Sequence, residues 1–345
     1  MKKAIVILLI AFVWVSCKSD KQTPDISKIT AKTSVQRFDQ DFFSIDTLQL
    51  NNNLATLQQK YPAFLQVFLE NIAGVNAPEE LKTFYRIYRP VFDSSQKTYK
   101  NFNPIKEQIE EAFRYTKYYF PQYKTPSQLI TVIGRMDSRT DLARMDNGDY
   151  TPIFLGPDLA GISLQFYLGK DFSFYQDEYF VNNIAPLYRS RRFSKEYIVA
   201  DVMKLVVDDM YPDKSNTRPL VEQMIEKGKH WWLLDKVMPD APDSVKTGFT
   251  KAQLDWCKEN EGLNWTYIVR NETLYSIDPA TIQTYIGESP FTSALSQESS
   301  PGNIGSWFGR QIVTKYVDSH PGMKPDEVMK MPAMKILEEA KYKPK

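Results

Sequence analysis

The chain has 345 residues, with 43 Lys plus Arg against 42 Asp plus Glu, two Cys and two His. Its length permits one large domain or two ordinary ones, and 42% hydrophobic residues suffice for a sizeable core. A formal charge of +1 gives no bulk attraction to nucleic acid or to an anionic membrane, and so few Cys and His exclude a disulfide scaffold and a zinc ribbon.

Lys2 and Lys3 precede a twelve-residue apolar run, Ala4 to Val15, that ends in Ser16-Cys17. A basic start, a short apolar core and a small residue before a cut read as a secretory signal over residues 1–16. The run is shorter than the roughly 20 residues of a membrane-spanning helix. Trp14-Val15-Ser16-Cys17 resembles a bacterial lipobox, the likeness resting on Ser16, Cys17 and their position, with Trp14 where leucine is usual. The resemblance implies a diacylated Cys17 as the mature N-terminus, and more than one acyl chain is what stable anchoring requires. Cleavage removes Lys2 and Lys3 and takes the formal balance from +1 to −1. Residues 17–34 then read as a lipidated cysteine and a flexible polar tether, able to extend roughly 55–60 Å.

From residue 35 to residue 345 the composition is globular, without linker or repeat, and reads as one domain. Apolar spacing predicts a helix over residues 53–74, broken at Pro62 and ended by Gly74. Residues 78–96 and 103–119 carry the same periodicity, with Pro78 and Pro104 at helix starts. Residues 128–135 are β-branched and bounded by Pro126 and Gly134, the pattern of a buried strand, and residues 152–155 and 162–168 are further strand candidates. Helical signals return over residues 197–210, 220–237, 251–269 and 304–317. The sum is an α+β fold, a mostly helical domain enclosing a small sheet.

Catalytic signatures are scarce. The chain has no nucleophile elbow, no phosphate loop and no dinucleotide fingerprint at a strand–helix junction. With Cys17 acylated, Cys257 has no disulfide partner and reads as a buried structural thiol. His230 and His320 lack the i, i+4 partner of a helical zinc site and read as surface or rim residues. Asp201, Asp208 and Asp209 fit the solvated face of an amphipathic helix, while Asp137, Asp141, Asp146 and Asp149 are too loosely spaced for a calcium loop. Ser300-Pro301-Gly302-Asn303-Ile304-Gly305 is a polar lead into a helix whose N–H groups could hold an anion or a peptide carboxylate. A tight turn packed on the core is the simpler reading of the same residues. Trp231, Trp232, Trp256 and Trp265 read as core anchors first and partner surface second.

Three stretches stand out: Val35-Gln36-Arg37-Phe38-Asp39-Gln40-Asp41-Phe42-Phe43 with Tyr61-Pro62; Glu222-Gln223-Met224-Ile225-Glu226-Lys227-Gly228-Lys229 leading to Trp231-Trp232; and Asp255-Trp256-Cys257 through Trp265 and Ser289-Pro290-Phe291. The third closes on Ser300-Pro301-Gly302-Asn303-Ile304-Gly305-Ser306-Trp307-Phe308-Gly309-Arg310. Together they resemble the gliding motility lipoprotein GldB family of Bacteroidetes. The resemblance marks Glu226, Gly228, Lys229, Trp231, Trp232, Pro301, Gly302, Gly305, Trp307 and Arg310 as family motif or interaction surface. Residues 130–135 and 226–229 are also distantly similar to predicted zinc peptidases in which a His-Glu-x-x-His helix precedes a Glu-Gly element. The corresponding helix here, residues 197–210, has no histidine, so the likeness implies a zincin-like fold without its metal, Glu226 being a scaffold residue. The expectation is a lipid-anchored, periplasm-facing envelope protein that supports gliding through contacts with other envelope proteins, with no catalytic residue, metal or cofactor and no nucleic acid partner. The rival expectations are a periplasmic zincin-like metallopeptidase and a peptide- or glycan-binding lipoprotein with an aromatic-lined cleft.

Overall fold

Strand β1, Ser34–Gln36, finds its partner far along the chain: it runs parallel to β2, Gln128–Val132, with Ser34 opposite Gln128. β3, Ile153–Gly156, and β4, Leu159–Ser163, form a hairpin. β4 lies parallel to β2 with Leu159 opposite Gln128, which completes a mixed sheet of order β1-β2-β4-β3. A second, minimal pairing joins Ala143–Arg144 to Tyr150–Thr151. The computed structural model describes residues 23–137, 143–144, 150–271 and 273–345. Leu129, Ile130, Thr131 and Val132 are all buried, as expected of a parallel strand covered on both faces.

Helices α1 (Phe38–Phe43), α2 (Leu50–Lys60), α3 (Pro78–Thr98) and α4 (Asn103–Tyr119) come from the N-terminal third. The helical stretch after Pro62 continues through a π-turn at Phe68–Ile72 and stops at Gly74, whose φ of +59° is open to glycine. Phe38, Phe42, Phe68 and Phe84 stack edge-on or tilted beneath α1 with ring centroids 4.6–6.2 Å apart. Arg37 and Asp39 bracket that cluster. Asp39 is 1% exposed and accepts from Arg37 Nε (3.0 Å) and Nη2 (2.8 Å), from Gln96 Nε2 (3.0 Å) and from Thr131 Oγ1 (2.5 Å). The charge is buried because every lone pair is used, and its partners tie α1, α3 and β2 together.

The C-terminal half is helical: α5 (Ile198–Met210), α6 (Leu220–Val237), α7 (Asp243–Thr247), α8 (Lys251–Glu259), α9 (Glu261–Arg270), α10 (Pro279–Ile286), α11 (Ile304–Asp318), α12 (Pro325–Lys330) and α13 (Ala333–Ala340). A capping box at Thr250 and Gln253 starts α8. The α+β class therefore holds: helices predominate around a small four-stranded sheet.

Three boundaries differ from the sequence reading. The final residues of the expected tether are structured, since Ala31 and Thr33 are buried, the Thr33 N–H donates to Glu110 at 2.6 Å, and Ser34 already belongs to β1. Their polar composition hid a strand whose stability comes from a distant partner. The strand expected at residues 162–168 begins at Leu159, because Gly161 sits inside it under the Phe154 ring, and Leu164–Phe166 is a 3₁₀ turn. The helix expected over residues 251–269 divides at Asn260.

Candidate functional site

The central feature of the C-terminal half is the crossing of α6 and α11. Gly228 and Gly309 face each other there: a Cβ on Gly228 would stand 2.1 Å from the Gly309 carbonyl carbon, and one on Gly309 would stand 1.7 Å from Met224 O. The two backbones touch because neither residue has a side chain. Around this crossing the family-motif residues carry structural duties. Lys229 is 2% exposed, and its ammonium donates to Glu226 Oε1 (2.7 Å) and to the carbonyls of Met329 (3.3 Å) and Met331 (2.5 Å), clasping the turn after α12. Arg310 donates from Nε to Asp235 Oδ2 (2.7 Å) and from Nη2 to Asp243 Oδ1 (2.9 Å), while Lys246 reaches Asp235 Oδ1 at 2.6 Å. This network joins α11, α6 and α7.

Beside it opens a cleft with about 970 Å³ of empty space, counting its mouth. Tyr188, Trp231, Phe249, Pro290 and Pro301 supply its apolar wall, with Trp231 and Phe249 edge to face at 5.4 Å. Arg191, Arg192, Lys204, Lys227 and Lys246 line it together with Asp208, Asp213 and Glu288. The start of α11 contributes Gly302, Asn303 and Ser306. Most of the cations are neutralised. Lys204 pairs with Asp201 at 3.0 Å, Lys227 with Asp213 at 3.4 Å and Arg192 with Glu288 at 2.7 Å.

Burial sets the protonation states. Desolvation raises the Asp213 carboxyl, but the Lys227 ammonium and the Ser215 hydroxyl and N–H outweigh it, leaving Asp213 below the usual carboxylate range. His230 is pushed below its ordinary value chiefly by burial, against the pull of Asp213. A neutral imidazole then donates from Nε2 to Tyr211 O at 2.8 Å, which leaves Nδ1 as an acceptor. Glu226 moves the other way: burial lifts it despite the ammonium of Lys229. The Arg191 guanidinium is lowered, first by burial and next by the charge of Arg192.

The motif residues separate into two groups. Gly228, Lys229, Trp232, Pro301, Gly302, Gly305 and Trp307, expected as family motif or interaction surface, are buried among the helices, and Pro301 and Gly302 also face the cleft. Glu226, Trp231 and Arg310 are half-buried; Trp231 and Pro301 line the cleft. Asp201 is not on a solvated face, since it accepts from Tyr167 Oη at 2.9 Å as well as from Lys204. His230, half-buried, lines the cleft and bonds to Tyr211 O, and His320, half-exposed, lies 3.2 Å from Glu339. Cys257 is buried and its thiol is pushed up to about 12 by desolvation. Cys17, with the signal, and Asp141, Asp146 and Asp149 lie outside the described residues, while Asp137 pairs with Arg135.

A zinc ion of the kind the distant peptidase likeness brings to mind does not fit the residues present. Ile198–Met210 carries no histidine, the Glu226 carboxylate is tied to Lys229, and among the described residues no cluster of three His, Cys, Asp or Glu could hold a metal. As the lining of one cleft, Arg191, Arg192, Lys204, Lys227 and His230 escaped the sequence reading, which took His230 for a surface or rim residue. They come from three segments, Arg191-Arg192, α5 and α6, that only the fold brings together; only the start of α11 announced itself.

Among the described residues no helix is long and apolar enough to cross a membrane. Comparison with curated proteins and with solved structures gave no match. The family model described as gliding motility protein GldB, however, matches residues 19–344, and with nearly its whole length accounted for the chain belongs to that family.

Proposed function

We propose that this protein is a non-catalytic envelope lipoprotein, anchored through Cys17 and facing the periplasm, that supports the gliding machinery through protein–protein contacts. The observation that carries the reading is the family match over residues 19–344. The lipobox-like Val15-Ser16-Cys17 supplies an anchor to a chain whose described helices offer no span. A contact surface is available where Leu263 and Tyr267, one turn apart on α9, stand exposed near Tyr275 and Ile277, with Leu263 at 73% and Ile277 at 70%. Among the described residues, burial raises the Cys257 thiol and holds the His230 imidazole neutral and hydrogen-bonded, which suits a structural role for both. The zincin-like scaffold belongs to the same proposal, as ancestry without the metal ligands.

The test is genetic and physical together. Deleting the gene should abolish colony spreading, wild-type protein should restore it, and affinity capture from the native envelope should bring down other gliding components. Cells that spread normally without the protein would sink the proposal. Tightly bound zinc with chelator-sensitive peptidase activity in the purified protein would replace it with the metallopeptidase reading.

A further inference from the structure

The cleft beside the α6–α11 crossing contains one cation whose charge has no counterpart of its own. The Arg191 guanidinium donates from Nε to Tyr188 O (2.8 Å) and from Nη2 to Gly248 O (2.9 Å) and Gln253 Oε1 (3.4 Å). All three acceptors are neutral, no carboxylate lies within ion-pair distance of it among the described residues, and its Nη1 donates to none of them. Arg192 adjoins it, and the nearby carboxylate, Glu288, is already paired to Arg192 at 2.7 Å. Two guanidiniums thus share one carboxylate in a partly buried site, an arrangement stabilised by a further negative charge.

The start of α11 adds to the same field. Asn303 occupies the cap position in the left-handed region (φ 56°), and its Oδ1 accepts from the Ser306 hydroxyl at 2.5 Å instead of capping a backbone N–H. The N–H groups of Ile304 and Gly305 have no acceptor among the described residues, and a fifteen-residue helix directs its positive end to the cleft that Asn303 and Ser306 line. His230 and the Trp231–Phe249 wall line the same cleft.

We propose that this cleft is a binding site for an oxyanion, the carboxylate or phosphate group of a small molecule, held by Arg191 and the N-terminus of α11. The planar guanidinium fork suits either group, and the apolar wall accommodates the body that carries it. This proposal is independent of the motility role: its failure would leave the envelope reading intact, and failure of that reading would leave the site.

The test uses the full mature protein in detergent, titrated with sodium acetate or inorganic phosphate against sodium chloride at matched ionic strength, with thermal unfolding as the readout. One of the two oxyanions is expected to raise the melting temperature saturably where chloride does not. Saturation by acetate identifies a carboxylate ligand, and saturation by phosphate a phosphate ligand. Arg191→Gln should weaken the apparent affinity roughly tenfold or more, the loss expected for a charge-assisted hydrogen-bond pair. Exchange of the exposed Arg86 for Gln should leave it unchanged. Arg191→Lys, which keeps the charge and loses the fork, should fall between, and it serves if Arg191→Gln does not fold. A shift that follows ionic strength alone, or equal behaviour of the Arg86 and Arg191 variants, overturns the proposal.

Discussion

At the scale of single residues, the two buried titratable groups on α6 make opposite demands. Lys229 satisfies its ammonium with Glu226 and two carbonyls, so Lys229→Met strands three acceptors at once. It should destabilise the protein by roughly 2–4 kcal/mol, measured by urea unfolding. His230 is the reverse case, a base held neutral. Its folded pKa lies below the ordinary 6.5, so the unfolded chain binds the proton more readily and stability falls as pH drops below that value. Asp213, Lys227 and Lys229 are the charges that act on it. Glu226, an acid raised above 4.5, contributes the opposite slope. The His230 share is therefore read as the difference between wild type and His230→Gln in the same buffers. The variant should lose a slope of at most about 1.4 kcal/mol per pH unit between roughly pH 7 and 5. Identical pH profiles for the two proteins would refute the assignment.

At the scale of elements, the α6–α11 crossing is the point of least tolerance. Gly228→Ala or Gly309→Ala drives a methyl into the facing backbone, which has no rotamer to yield, and each should cost about 3 kcal/mol or more and lower the thermal midpoint accordingly. Ala at the exposed Gly322, where nothing lies within 4 Å, provides a comparison limited to the strain of its φ of +91°. Helices of this kind were legible in the sequence because their signals are local. Asn103–Tyr119 follows directly from apolar spacing and its proline start, and Leu220–Val237 from apolar spacing. β1 was not legible: Ser34-Val35-Gln36 has no alternation long enough to read, and its register is fixed only by β2. The cleft failed for a related reason. A catalytic motif advertises itself by spacing, whereas Arg191, Lys227 with His230, and Asn303 converge through three separate segments. The Ser300–Gly305 turn was the part of the site visible beforehand, because a glycine-rich lead into an amphipathic helix is a local pattern.

At the scale of the whole molecule, the placement of the N-terminal segment shortens the proposed tether. Ile26 already packs against the core and Thr33 bonds to α4, so eight residues lie between Cys17 and Ile26. Fully extended, that stretch reaches at most about 30 Å, half the span expected from composition. Under the proposed anchoring the body works close to the membrane, and Cys17→Ala should release it into the soluble fraction after cell lysis. Retention of the variant in membranes would show that acylation is not the anchor.

The latch around Asp39 acquires a mechanical meaning in this arrangement. Under the proposed anchoring, a tug along the lipid passes the packed Ile26 and the Thr33–Glu110 bond before it reaches β1, and within three residues of that strand it meets Arg37 and Asp39, whose bonds run to Tyr99 O, Gln96 and Thr131. The load passes from one short edge strand into the middle of the sheet and the end of α3, spread over several charge-assisted bonds in parallel. A strand of three residues is by itself a weak coupling; with the Asp39 carboxylate behind it, it would serve the proposed lipid anchor as a strain-relief fitting.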